Sequence, residues 1–201
     1  NDAPIMDQIA DESINEDDAL TITVSATDAD GDIPTFTADA GDDAETSVVG
    51  SEITITPIDD FNGNIPVTIT ATDGDLETGE TSFTLSVLPV NDAPVIEDIT
   101  SQETNEDEVF TLDLSASDVD EDDLSFSASV DGHAIASVDG ATLTVIPDEN
   151  YSSAIAGLIT VTAVVSDGVL SVSTTFTLDV LNLNDAPIMD QIADESINED
   201  D

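Results

Sequence analysis

Lysine and arginine are both absent from this chain of 201 residues, and set against 47 Asp and Glu they leave a formal charge of −47. Nucleic-acid binding is thereby excluded, because Lys and Arg are the side chains that neutralise its phosphates. Attraction to an anionic membrane surface is excluded for the same reason. Cysteine is missing as well, which removes disulfides, thiolate zinc sites and thiol catalysis together. Tryptophan is absent and aromatics reach 3%, so any interior must be aliphatic. No apolar run approaches the roughly 18 residues of a membrane-spanning helix, and membrane insertion is not expected. The chain starts at "NDAPIM" with no basic and apolar leader, so an export signal is expected outside this stretch.

What remains is enough to fold. Leu, Ile, Val and Phe account for 56 of 201 residues, above the roughly 20% below which highly charged chains stay disordered. Small domains with few large side chains need an additional fastening. Here it is neither covalent nor a salt bridge, which leaves cations from solution.

The tetrapeptide "NDAP" begins at residues 1, 91 and 184, and the last 18 residues are identical to the first 18. Residues 1–90 are therefore read as repeat one and residues 91–183 as repeat two. Residues 184–201 are the truncated start of a third, a copy of residues 1–18 that implies a longer parent array. Sliding repeat one by 90 positions brings Asp28 onto Asp118, Gly50 onto Gly140, Pro57 onto Pro147 and Phe61 onto Tyr151. Past Tyr151, repeat two gains residues around "SSAIAG", and Phe83 then falls on Phe176.

Within each repeat the apolar period is two. Leu20, Ile22, Val24 and Ala26 alternate with polar residues, as do Phe110, Leu112, Leu114 and Ala116. The same alternation recurs at Ile53 and Ile55, at Val67, Ile69 and Ala71, and at Phe83, Leu85 and Val87. Such patterns belong to half-buried strands, and "DADGD", "TPIDDFNG" and "ATDGD" supply the turns. The expected fold is all-β: tandem Greek-key sandwiches of cadherin-like or Ig-like type, about seven strands each.

Asp outnumbers Glu by 33 to 14, and many Asp sit in turns. Calcium takes six to eight oxygen ligands, and short Asp side chains on a turn converge on one ion with little to order. Three acidic places recur in both repeats: "NED" at Asn15–Asp17 and Asn105–Asp107, Asp28/Asp30 with Asp118/Asp120, and Asp73 with Asp167. Clustered carboxylates without a counter-cation repel one another unless a metal lies among them. The competing account is a wet acidic surface, of the kind halophiles carry, with diffuse cations and no defined site. An EF-hand fails at "DADGDIPTFTAD", because its sixth position is Ile33 rather than Gly and its twelfth is Asp39 rather than Glu.

"TVSATDAD" at 23–30, "ITATDGD" at 69–75 and "LPVNDAP" at 88–94 resemble the "DxD" motif, the later strand motif and the linker of cadherin repeats. The "NDAP" form and the near-identical copies look most like the cadherin-like tandem repeats of giant secreted bacterial adhesins of the RTX type. The resemblance implies calcium at each junction, with neighbouring repeats of the same chain as partners. At the first junction it implies Glu16 from repeat one, Asn91 and Asp92 from the linker, and Asp118, Asp120 and Asp167 from repeat two. The second would use Glu106, Asn184 and Asp185. Glu199 would serve the base of the cut-off unit. Asn1, Asp2, Asp28, Asp30 and Asp73 would face an upstream neighbour. The linker is one residue shorter than the cadherin form, and "LDRE" is replaced by Asp59/Asp60 and Asp148/Glu149, with Asp60 the expected ligand.

These features lead to the expectation of an extracellular, calcium-rigidified extender in a surface adhesin of the kind that builds biofilms, monomeric and elongated. It would hold a distal binding region away from the cell. The alternative is an adhesive module that itself binds glycan or self-associates, which the lack of Trp and the single Tyr disfavour. No enzyme is expected: the single histidine, His133, reads as a loop residue, and Phe61 and Tyr151 read as core plugs. A site of about 0.1 mM affinity in about 10 mM calcium gains near 2.7 kcal/mol by mass action. The chain should therefore be loose in a cytosol poor in calcium and stiffen outside.

Overall fold

The computed structural model describes residues 2–74, 78–187 and 189. The chain divides into two compact units, Asn1–Asn91 and Asp92–Asp201. Asn1 and Glu199, both expected as calcium ligands, lie outside the described residues.

In the first unit the strands are β1 (Ile5–Met6), β2 (Glu12–Asn15), β3 (Leu20–Thr23), β4 (Ala26–Thr27), β5 (Thr35–Asp39), β6 (Ala44–Val49), β7 (Glu52–Pro57), β8 (Gly63–Thr72) and β9 (Thr78–Leu88). Seven of them form two sheets, ordered β2-β9-β8-β5 and β3-β7-β6, while β1 and β4 pair apart. The expected seven-stranded sandwich is thus present with a small additional ribbon. All pairings are antiparallel except β2 with β9, which run parallel from Glu12↔Leu85 to Asn15↔Leu88.

The alternation in the sequence states which face goes inside. Ile53, Ile55, Ile65, Val67, Ile69 and Leu85 are fully buried, and Phe83 and Val87 nearly so. Every second residue along β7, β8 and β9 faces this aliphatic layer, each large side chain contributing about 1.5–3 kcal/mol by leaving water. Phe61 packs against the same cluster from the loop before β8.

The second unit repeats the plan. Its strands are β10 (Val95–Ile96), β11 (Gln102–Asn105), β12 (Phe110–Asp113), β13 (Ala116–Ser117), β14 (Ser125–Val130), β15 (Ala134–Asp139), β16 (Thr142–Pro147), β17 (Ile159–Ser166) and β18 (Ser171–Leu181). The sheet orders are β11-β18-β17-β14 and β12-β16-β15, with β10 and β13 apart. The extra residues after Tyr151 coil into a four-residue helix, α1 (Ser153–Ala156). Tyr151 is buried and its hydroxyl donates to the Gly157 carbonyl at 2.6 Å. It plugs the core while tying down the insertion, as a Phe there could not.

Candidate metal centre

Strand register places the acidic residues at opposite ends of each unit. Because Gly63 pairs with Val87, the loop before β8 lies at the end where β9 finishes; Thr72 pairs with Thr78, so Asp73 lies at the other.

At the first end of unit one, β2 ends at Asn15 beside Leu88, and the Glu16 amide donates to the Leu88 carbonyl at 2.9 Å. The Glu16 side chain is 4% exposed and its carboxylate accepts the Val90 amide. Asp17 and Asp60 both adopt left-handed backbone, φ 64° and 59°. The Asp60 amide donates to Asp17 Oδ1 at 3.4 Å, and a carboxylate oxygen of each lies within 4.8 Å of the other. Left-handed geometry at a non-glycine residue costs of order 1 kcal/mol or more, and it persists where the surroundings dictate it.

Unit two builds the same end with other residues. Glu106, again 4% exposed, donates its amide to the Leu181 carbonyl at 2.9 Å and accepts the Leu183 amide. Asp107 (φ 62°) and Asn150 (φ 57°) repeat the left-handed pair, with the Asn150 amide on Asp107 Oδ1 at 3.1 Å. The structural counterpart of Asp60 is therefore Asn150, not the Asp148/Glu149 pair expected from sequence. Both Asp60 and Asn150 sit directly before the aromatic plug, and that spacing fixes their place.

Several aspartates gather at the opposite end of unit two. The Asp92 amide donates to Asp120 Oδ2 at 2.8 Å, and the Asp120 amide to Asp118 Oδ1 at 3.0 Å. Asp118, Asp120 and Asp122 each bring a carboxylate oxygen within 4.8 Å of the other two. Partial desolvation, followed by the negative field of Asp118, Asp120, Asp167 and Asp123, pushes the Asp122 carboxyl above the ordinary aspartate value. Asp167 thus shares this end electrostatically, and its Oδ1 also accepts the Val169 and Leu170 amides, each at 2.6 Å. In unit one the Asp2 amide donates to Asp30 Oδ2 at 2.7 Å and the Asp30 amide to Asp28 Oδ1 at 2.8 Å. There the Asp32 amide folds back on Asp28 Oδ1 at 3.3 Å. Asp73 is half-buried at this end.

The donor set suits a hard cation. All these side-chain groups are oxygens, the chain supplies no lysine or arginine to pair with them, and Asp28 Oδ2 and Asp118 Oδ2 are enclosed without a hydrogen-bond partner among the described residues. Burying a carboxylate oxygen in that state is costly unless a cation meets it. Calcium fits such a set, since it accepts carboxylate and backbone oxygens in irregular geometry.

Of the residues expected from sequence, Asp2, Asp28 and Asp30 come together in unit one, and Asp92, Asp118, Asp120 and Asp167 in unit two. Glu16 and Glu106 anchor the ends of β9 and β18. Asn91 is half-buried; Asn184 and Asp185 are exposed, and Asn184 Nδ2 donates to the Asp185 carbonyl at 3.1 Å. Sequence reasoning missed Asp122 and the paired turns at Asp17 and Asp107. The third Asp of "DVDED" at 118–122 was the available signal for Asp122.

Among solved structures, human protocadherin-24 EC1-2 aligns with a TM-score of 0.53 at 16% identity, covering 93% of this chain and 100% of that one. The extracellular cadherin domains 3-6 of protocadherin gamma B2 align with a TM-score of 0.50 at 18% identity, covering 88% of this chain and 47% of that one. These likenesses are of fold. An endo-fucoidan hydrolase of glycoside hydrolase family 107 aligns at a TM-score of 0.40 and 17% identity; the match covers 91% of this chain, which spans only 29% of the enzyme's length. No curated protein sequence matches the chain. Residues 1–86 and 91–180 each match the bacterial Ig domain family, and the chain belongs to that family.

Proposed function

We propose that this chain is a calcium-stiffened spacer from a large secreted bacterial surface adhesin, in which successive repeats hold a distal binding region away from the cell. The observation that carries this reading is the pairing of a buried carboxylate at one end of each unit, Glu16 or Glu106, with a "DxD" loop at the other end whose first Asp keeps an enclosed oxygen unpartnered. When bound, calcium supplies the positive charge that the polypeptide lacks.

The protein's own contribution is positioning. Glu16 and Glu106 hold the chain leaving β9 and β18 through backbone amides. Asp30 and Asp120 grip the entering chain through the amides of Asp2 and Asp92. In this proposal Asn91 and Asp92, together with Asn184 and Asp185, contribute ligands from the connecting segments, as the cadherin resemblance implies, with Asp60, Asp73 and Asp167 filling out the sets. Family and fold support an extracellular role, and the uncompensated charge supports a monomer, since identical repeats repel one another.

Melting followed by circular dichroism, with calcium and with EGTA, tests the proposal alongside a calorimetric titration. The expected result is saturable binding and a melting temperature many degrees higher in calcium. An unchanged midpoint with no saturable step would overturn it.

A further inference from the structure

Unit one contains an apolar groove of about 610 Å³ that opens between its two main sheets beside the edge strand β5. Its walls include Val24, Ala26, Ile33, Pro34, Phe36 and Val48. This volume falls within the roughly 300–1,000 Å³ of sites that take a ligand or an anchoring side chain. Ile33, on the rim, is 88% exposed.

Repeat two builds the corresponding place from other side chains. Repeat two carries Asp123 and Leu124 where repeat one has Ile33 and Pro34, and Leu124 packs against the core cluster. Leu114, buried, takes the place of the smaller Val24. Repeat two thus sets a core-packed leucine at each of two positions where repeat one has a valine and a proline, and repeat one puts an isoleucine at the mouth of its groove.

Charge identifies what would enter. Asp7 is tied to the wall residue Ser25, donating its amide to the Ser25 carbonyl at 3.1 Å and accepting the Ser25 hydroxyl. Asp32 and Glu52 adjoin the wall residues Ile33 and Ser51 in sequence, and all three carboxylates are exposed. An apolar slot with exposed carboxylates beside its wall residues, on a chain of charge −47, repels a second copy of itself and complements a cation. We propose that this groove binds a cationic peptide segment of a partner protein, one aliphatic or aromatic side chain seated between Phe36 and Val48 and flanking Lys or Arg on those carboxylates. The inference does not depend on the spacer reading.

The test is a titration of the ¹⁵N-labelled full chain, saturated with calcium and at physiological salt to screen diffuse attraction. Three pentapeptides serve as probes: Lys-Lys-Phe-Lys-Lys, its Ser-centred analogue, and Glu-Glu-Phe-Glu-Glu. The expected outcome is amide shifts confined to Val24, Ile33, Phe36 and their neighbours, with the Phe-centred cationic peptide binding at least tenfold more tightly than either control. The double variant Ile33→Asp with Pro34→Leu, which installs repeat two's own pair, should weaken binding at least tenfold while leaving the calcium-bound melting temperature close to the parent. Equal binding of the Phe and Ser peptides, shifts spread over both repeats, concentration-dependent shifts without peptide, or unaltered binding by the double variant would each overturn the proposal. Absence of any shift would do the same.

Discussion

The two repeats share a scaffold and differ in how each closes its loops, and the differences fall where sequence pattern is weakest. Both "DxD" loops turn through a left-handed residue, Gly31 (φ 86°) and Glu121 (φ 61°), but repeat one then folds the Asp32 amide back on Asp28, while repeat two brings the Asp122 carboxylate into the cluster. Repeat one has Gly79 where repeat two has Val172. Among the described residues, repeat two alone has α1, the Tyr151 hydroxyl bond and the Asp131 cap. One sheet plan therefore tolerates two styles of loop, provided the carboxylates that fix the strand ends stay in place.

The largest effect should come from those anchors, where the repeats are alike. Glu16→Ala and Glu106→Ala each remove the acceptor of a backbone amide and a ligand of the proposed ion. Each should cost its own repeat roughly 3 kcal/mol in calcium and much less in EGTA, read by calorimetric melting. A loss of equal size in EGTA would separate the structural role from the ionic one.

Next in size is Gly79→Ala, which tests a difference. A Cβ there would sit 2.0 Å from the Pro4 carbonyl oxygen, so the chain entering β1 would have to shift. A cost of about 2 kcal/mol is expected in the unfolding of repeat one. Val172→Ala in repeat two should cost only about 1 kcal/mol, the loss of two half-buried methyl groups. Equal costs would mean that the close approach at Gly79 has no energetic meaning.

Tyr151→Phe keeps the plug and deletes the hydroxyl that holds the Gly157 carbonyl. About 1 kcal/mol should disappear from repeat two, with amide exchange rising in α1. Phe61→Tyr in repeat one should bring no matching gain, because no insertion awaits the hydroxyl.

The smallest effect concerns acid. Hydrogen bonds from Thr160, then a weaker attraction to His133, hold the Asp131 carboxyl below the ordinary aspartate value. A depressed carboxyl stabilises the fold above its unfolded value and loses that contribution as pH falls through the folded one. Repeat two should therefore weaken as pH drops below about 4, and Asp131→Asn should flatten that limb in melting curves taken down the acid range. Repeat one has Gly41 at this position and lacks this contribution, so Asp131→Asn should leave its own acid limb unchanged.

Strand positions were legible because alternation survives translation into structure: Ile53, Ile55, Val67, Ile69 and Leu85 all point inward as their spacing demands. Glu16, Asp28, Asp30, Asp118 and Asp120 were legible because they recur at a fixed offset. Asp17 and Asp107 as turn partners were not, since the sign of φ at a non-glycine residue leaves no mark in composition. Asp32 and Asp122 recur at that same offset, but nothing in the sequence tells that Asp122 brings its carboxylate to the cluster while Asp32 contributes its backbone amide. The groove was invisible for a related reason, as a Pro in place of a Leu reads as a turn residue and not as a missing wall.

The parallel pairing of β2 with β9, and of β11 with β18, bears on mechanical load. Tension along the backbone draws the earlier strand toward its N-terminal side and the later one toward its C-terminal side, which for parallel neighbours are opposite directions on one axis. The four register pairs in each ladder are then sheared together rather than peeled apart in turn, and a pulled repeat must break them at once before it can lengthen.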